Sequence, residues 1–174
     1  GLDYYISGNH FLQPSEGEIL DIKDLSLLAG PEREQALKNH FAAICRAIES
    51  GVFAFIAHVD YIRKSEFCPD EAFWQEKMKV VDCLEKCKTA TELSSKGLRK
   101  RGDFYPADKL IREIVRRQIP LVVSDDAHRT GELGFEFAKS EEYLRELDCR
   151  RRWQFYFFAV FVRIFTVQTG FTRS

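Results

Sequence analysis

The sequence predicts an α/β fold, a βα barrel or part of one, because continuous apolar runs of strand length alternate with amphipathic helical stretches. The clearest runs are residues 52–57 and 119–123, and polar residues follow each of them. Strands that are apolar throughout their length are typical of a parallel sheet, which helices cover. The alternation therefore favours βα units over an all-helical or all-β chain.

Polar residues at the predicted strand ends recur at a fixed interval. His58 and Glu92 are 34 residues apart, and Glu92 and Asp126 are again 34 residues apart. One strand, one helix and two loops need about that length, so these residues occupy equivalent points of successive units. A tetratricopeptide array has a similar repeat length, but it is entirely helical, and the strand-like runs argue against it.

The first half of the chain contains two predicted strands with a helix between them. The first strand covers residues 3–8, and a polar loop follows it. Pro31 is expected to open the helix and Gly51 to end it. The apolar residues of this helix recur every three or four positions, at Leu37, Phe41, Ile44 and Ile48. The second strand is the run 52–57.

The second half repeats this pattern. A helix is predicted to start at Pro69, with a stripe at Trp74, Met78, Val81 and Leu84. A weaker strand covers 89–94, and a basic loop follows it. Pro106 is a plausible first residue of the next helix, whose inward face holds Leu110, Ile111, Ile114 and Val115. The strand 119–123 and a helix over 140–147 complete the pattern.

Composition excludes several classes of protein. The 174 residues suit one domain, and 26 basic against 27 acidic residues give a net charge of -1. A domain that binds nucleic acid usually has a basic excess, so no nucleic-acid partner is expected. No apolar run reaches the roughly 18–20 residues of a membrane helix, so no membrane contact is expected either.

The cysteines and the two ends of the chain give further predictions. Five irregularly spaced cysteines indicate free thiols in a reducing cytoplasm, and Cys83 with Cys87 alone are too few for a metal. The first residues do not have the composition of a signal peptide, and Gly1 is interpreted as a cut end. Residues 150–174 are expected to form a divergent strand or tail, in which an exposed FYFF run would promote aggregation.

Three of the four histidines follow predicted strands. His10, His58 and His128 do so, and Asp126 lies two residues before His128. His40 lies on the first predicted helix, where its polar side is expected to face solvent. Imidazole nitrogen and carboxylate oxygen together suit zinc, manganese or iron, so the strand ends predict a metal site.

Four segments, in order, resemble the later motifs of the PHP (polymerase and histidinol phosphatase) superfamily. They are similar above all to those of histidinol-phosphate phosphatases. The segments are DYYISGNHF at 3–11, AHVD at 57–60, ELSSKGLRK at 92–100 and SDDAH at 124–128. The resemblance covers roughly residues 1–147 of what we take as a single, partial PHP domain over 1–174. It implies a distorted (β/α)7 TIM-like barrel, incomplete at its N-terminus.

The resemblance also implies a set of site residues. Two or three divalent metals (zinc, manganese or iron) are expected, with His10 and His58 on one, Asp126 on a second and His128 on a third. Arg63 and Arg99 resemble the phosphate-binding arginines of the family, because a guanidinium can donate two parallel hydrogen bonds to phosphate. The alternative for either arginine is an ordinary solvated charge. Glu92 and Asp60 are expected near the ligands or against a substrate ammonium.

The activity implied is hydrolysis of L-histidinol phosphate to histidinol and phosphate, in histidine biosynthesis. A metal-held hydroxide is expected to attack phosphorus, with Asp126 and His128 as catalytic residues. The His-x-His motif and other early ligands of the family have no counterpart before residue 3. Two alternatives therefore remain: a non-catalytic PHP-fold domain, or a polymerase-associated PHP nuclease, which the balanced charge disfavours. The oligomeric state is left open.

Overall fold

The computed structural model of the protein describes residues 4–14, 18–150 and 152–153. Strands and α-helices alternate through most of this part of the chain. In order they are β1 (Ile6–Ser7), β2 (Phe11–Leu12), β3 (Leu20–Asp21), α1 (Gly30–Glu49), β4 (Phe55–Ile56), α2 (Trp74–Cys87), β5 (Ala90–Ser94), α3 (Lys96–Lys100), α4 (Asp108–Arg116), β6 (Leu121–Ser124), α5 (Phe137–Glu146) and β7 (Arg152–Trp153).

Five of these strands form one parallel sheet in the order β1-β4-β5-β6-β7, and β2 pairs with β3 in a separate antiparallel hairpin. The predicted α/β class with a parallel sheet is confirmed. Within the described residues the sheet is open, with β1 and β7 at its edges, so a closed barrel is not confirmed. Because the strands are parallel, their carboxyl ends lie at one edge of the sheet.

Helix α1 agrees closely with its sequence signals. Its predicted apolar stripe is buried in the core, and the helix ends two residues before Gly51, which has φ +66°. A glycine adopts this left-handed conformation at low cost, which explains the stop. Helix α1 packs against α2, whose Val81 and Leu84 are also buried. No helix in the described ranges is long and apolar enough to cross a membrane.

Three elements differ from the prediction. Helix α2 begins at Trp74 rather than Pro69, because residues 69–72 form a turn and the left-handed Phe73, at φ +54°, separates this turn from the helix. Helix α4 begins at Asp108 rather than Pro106: the Ala107 carbonyl accepts the first helical hydrogen bond, from the Ile111 N–H, while the Ala107 N–H donates to the buried Asp60 carboxylate. The predicted basic loop contains the short helix α3.

The structure describes only part of the predicted C-terminal strand or tail, residues 150–174. Strand β7 lies beside β6, where Leu121 pairs with Arg152. The Arg152 guanidinium lies 2.5 Å from the Glu141 carboxylate of α5. Residue 151 and residues 154–174, which include the predicted aggregation-prone run, lie outside the described residues.

The expectation that His40 faces solvent is wrong. Its side chain is buried between α1 and the segment that follows β1. Its Nδ1 atom lies 3.1 Å from Asn9 Nδ2 and 3.2 Å from the Phe11 carbonyl oxygen. Burial lowers the pKa of His40 to about 4. The neutral ring of His40 thus connects α1 to Asn9 and Phe11, the two neighbours of His10.

The buried Arg63 connects the segment after β4 to the segment before α4. The Arg63 side chain is completely buried, and its guanidinium donates to both Asp70 oxygens at 2.6 and 2.7 Å. It also donates to Asp103 at 2.6 Å and to the Phe104 carbonyl at 3.1 Å. The planar guanidinium of Arg63 thus connects two segments of the chain, since Asp103 lies 40 residues after Arg63.

We expect Arg63→Ala to lower the free energy of unfolding by about 2–4 kcal/mol. Loss of one partner of a buried ion pair costs about 3–5 kcal/mol, and the half-exposed acids Asp70 and Asp103 reduce that cost because water can solvate them. Urea titration followed by circular dichroism measures the change. Arg112→Ala, which breaks an exposed pair within α4, is the control and should have a much smaller effect. Equal losses would contradict a structural role for Arg63.

The burial of His40 predicts a pH dependence of stability. Its pKa of about 4 in the folded state lies below the unfolded value of 6.5, so the unfolded chain binds more protons between these pH values. Stability should therefore fall as pH falls from 6.5 to 4, by about 3 kcal/mol from this residue. Urea midpoints of the wild type and His40→Asn across this range test the prediction. Parallel curves for the two proteins would contradict it.

Candidate active site

The buried carboxylate of Glu92, in β5, connects the carboxyl ends of the neighbouring strands. One oxygen accepts a hydrogen bond from the His58 backbone N–H at 2.8 Å, and the other accepts from the Ser124 hydroxyl at the end of β6. Burial raises the pKa of Glu92 to about 7, and the Ser124 hydrogen bond opposes this rise. The equivalence predicted from the 34-residue interval holds to within one residue for His58 and Glu92, since Ile56 pairs with Thr91, but it is wrong for Asp126, because Glu92 lies inside β5 and pairs with Val122.

Two histidine rings meet beside Gly8. The ring centres of His10 and His58 are 4.9 Å apart, and each lies 4.8 Å from the ring of Tyr61. A Cβ atom on Gly8 would lie 3.3 Å from His58 Nε2 and 3.5 Å from His10 Nε2. Both Nε2 atoms therefore border the space that is open because Gly8 has no side chain.

Both rings are held in the form that binds metals. Burial lowers the pKa of His58 to about 4 and also lowers that of His10, so both are neutral at pH 7. His58 Nδ1 is buried and has no hydrogen-bond partner among the described residues. Neutral imidazole is the ligand form of histidine: the ring nitrogen without a hydrogen can bind a cation through its lone pair, while the N–H needs a hydrogen-bond acceptor.

The Asp126 carboxylate follows β6 and is largely buried, with 8% of its side chain exposed. Lys96 lies 2.6 Å from this carboxylate and 5.9 Å from the centre of the Tyr61 ring, which packs against His10 and His58, so these groups share one region. Asp126 and His58 have φ of +46° and +26°, a conformation that is costly for residues with a Cβ. Such strain is concentrated at functional sites.

His128 lies on the exposed loop that follows Asp126. Its ring is 57% exposed, and Nδ1 lies 2.8 Å from the Asp126 carbonyl oxygen. Its backbone N–H donates to Glu132 at 2.9 Å. In the part of the chain that the structure describes, no three histidine, cysteine or acidic side chains converge as a complete metal shell. The predicted ligands are thus near one another but do not enclose an ion.

The two predicted phosphate-binding arginines have different surroundings. Arg99 lies beside the His128 loop: it donates to the Asp125 carbonyl at 2.8 Å and lies 3.2 Å from Glu132. Its guanidinium also lies over the Phe135 ring. Arg63 is instead enclosed by Asp70 and Asp103 with no exposed side-chain surface. This arrangement disagrees with a phosphate-binding role for Arg63 and also with the solvated alternative.

Glu92 and Asp60 are likewise held by the protein itself. Both Glu92 oxygens have protein donors, so the carboxylate orients His58 and Ser124. Asp60 is fully buried, accepts from Ala107 and lies 3.8 Å from Arg63. These contacts assign both carboxylates a structural task and provide no support for contact with a substrate ammonium.

Two residues at this site were not singled out from the sequence. Tyr61 packs against both histidine rings, and Lys96 lies 2.6 Å from Asp126. Tyr61 lies three residues after His58, and Lys96 lies inside the motif that contains Glu92 and Arg99. Their positions next to predicted ligands are the signal that could have identified them.

Comparisons with known proteins find a similar curated protein. The "Probable histidinol-phosphatase" of Deinococcus radiodurans is 31% identical over 115 residues, which cover 65% of this chain and 43% of that protein. The chain thus spans less than half the length of this relative. No family model matches the chain.

A solved structure has the same fold. It is the crystal structure of the "putative histidinol phosphatase hisK" from Listeria monocytogenes, with a TM-score of 0.64 and 19% sequence identity. The match covers 79% of this chain and 57% of that one. The chain is therefore similar, in sequence and in fold, to histidinol-phosphatase-like proteins of the PHP superfamily, and the resemblance predicted from its four motifs is confirmed.

Proposed function

We propose that this chain is part of a metal-dependent phosphomonoesterase that hydrolyses L-histidinol phosphate to histidinol and phosphate. The observation that carries the proposal is the meeting of His10 and His58 Nε2 beside Gly8, in the same region as the Asp126 carboxylate. The names of the two similar proteins support the reaction class. We further propose that the open parallel sheet belongs to a (β/α)7-type barrel, whose carboxyl edge is the usual place for an active site.

The chemistry of these side chains suits a metal site, whose ligands would have to come closer together than in the described residues. His10, His58 and Asp126 would hold a divalent cation (zinc, manganese or iron), because two neutral imidazoles and a carboxylate are suitable ligands and both Nε2 atoms border the space beside Gly8. His128, next to Asp126, would help to hold a second or third cation. When bound, such cations supply a Lewis acid for the phosphoryl group and a water nucleophile at neutral pH.

The protein's own side chains would orient the substrate. Arg99 lies next to the His128 loop and is the best placed arginine to donate to phosphate oxygens. Glu92 holds the His58 backbone and thereby the position of its ring. Asp126 and His128 would lie at the reacting atoms as ligands, and the leaving alcohol would take its proton from solvent water.

A phosphate-release assay tests the proposed function. The longest gene product that contains this chain would be incubated with L-histidinol phosphate and Mn²⁺ or Zn²⁺, before and after treatment with a chelator. We expect phosphate release that the chelator abolishes and the metal restores. Absence of release under all of these conditions would contradict the proposal and favour the non-catalytic alternative.

The ligand assignment predicts an effect on metal binding. We expect Asp126→Asn combined with His128→Ala to weaken the affinity for Mn²⁺ or Zn²⁺ by at least about tenfold, since loss even of a ligand's partner has that effect. Asparagine is chosen at 126 because it tolerates the left-handed backbone there. Plasma mass spectrometry after dialysis at graded metal concentrations measures binding, with Glu34→Ala on α1 as an exposed control. Unchanged metal content would refute the assignment.

The different surroundings of the arginines predict different phenotypes. Arg99→Lys keeps the charge but loses the planar fork, so we expect kcat/KM for histidinol phosphate to fall about 10–1,000-fold with metal content unchanged. Arg112→Lys, on the exposed face of α4, should have normal kinetics. Near-normal kinetics for Arg99→Lys would show that Arg99 does not bind phosphate.

A further inference from the structure

Lys96 brings a positive charge into the group of candidate metal ligands. Its ammonium lies 2.6 Å from Asp126 Oδ2, and only 16% of the lysine side chain is exposed. The same ammonium lies 5.9 Å from the centre of the Tyr61 ring, which packs against His10 and His58. Lys96 therefore lies among these side chains and not at the protein surface.

The local structure places the Lys96 backbone at the carboxyl end of β5. Lys96 is the first residue of α3, directly after β5, and its backbone N–H donates to the Ser94 hydroxyl at 3.4 Å. The ammonium thus lies directly on Asp126 and near the Tyr61 ring that packs against both histidines.

An ammonium and a divalent cation compete for the same oxygen atom. A carboxylate oxygen that accepts a charge-assisted hydrogen bond at 2.6 Å has its negative charge largely compensated. A second cation at that oxygen would be repelled by the ammonium, and this repulsion is strong because the low exposure of both side chains limits screening.

We propose that Lys96 is an internal competitor for the metal, and that a divalent cation can bind Asp126 together with His10 and His58 only when the ammonium leaves Asp126. Lys96 thereby sets the metal affinity of the site. The inference deepens the proposed function and rests on its metal site, but not on the identity of the phosphate ester.

Metal titration of lysine variants tests the proposal. We expect Lys96→Met to bind Mn²⁺ about 10–100-fold more tightly than the wild type by isothermal titration calorimetry, since one hydrogen bond between charged groups no longer has to be broken. Lys96→Arg, which keeps a cation beside Asp126, should remain close to the wild type. Lys100→Met, an exposed lysine on the same helix, should not change the affinity.

The outcomes separate this inference from the proposed function. Equal or weaker Mn²⁺ binding by Lys96→Met would overturn the inference, even if the enzyme hydrolyses histidinol phosphate. The absence of Mn²⁺ binding in every variant would overturn both the inference and the metal site. Tighter binding by Lys96→Met in a protein without phosphatase activity would support the inference and contradict the proposed function.

A labelling experiment on the wild type avoids the risk that a variant misfolds. Acetic anhydride would be applied with and without saturating MnCl2, and acetylation of Lys96 relative to Lys100 would be measured by peptide mass spectrometry. We expect the metal to increase the relative acetylation of Lys96 severalfold, because the released ammonium becomes accessible. An unchanged or lower ratio would show that Lys96 stays on Asp126 and would overturn the proposal.

Discussion

A buried carboxylate in the middle of the parallel sheet, that of Glu92, accepts hydrogen bonds from the structure on both sides of its strand. A donor left buried without an acceptor would destabilise the fold. These hydrogen bonds therefore hold the ends of β4 and β6 in register with β5. His58 and Asp126 follow those two ends. The positions of both candidate ligands therefore depend on one side chain that need not touch a substrate.

Much of this architecture could be predicted from local sequence patterns. The stripe from Leu37 to Ile48 predicts the buried face of α1, and the 34-residue interval predicts that His58 and Glu92 occupy equivalent points of successive units. Both predictions use regular geometry, since helices repeat every 3.6 residues and parallel strands end at one edge. The four motifs also predict the resemblance to histidinol-phosphatase-like proteins that the comparisons confirm.

Contacts between distant residues explain what the sequence could not predict. The burial of His40 depends on Asn9 and Phe11, which lie 31 and 29 residues away. Arg63 resembles a phosphate ligand by its motif, but the fold supplies carboxylates from two other loops and encloses it. Side-chain pairs of this kind have no periodic signature, and only the assembled fold decides which charge an arginine meets.

The pairing of Lys96 with Asp126 has a consequence for how such a site is assembled. In many small metalloproteins the ligands repel one another until the ion arrives, so the polypeptide folds only in its presence. Here Lys96 supplies a counter-ion to Asp126, so this carboxylate has a partner within the folded chain. At the proposed metal site, folding would therefore not need the cation, and metal binding would be a separate, later event.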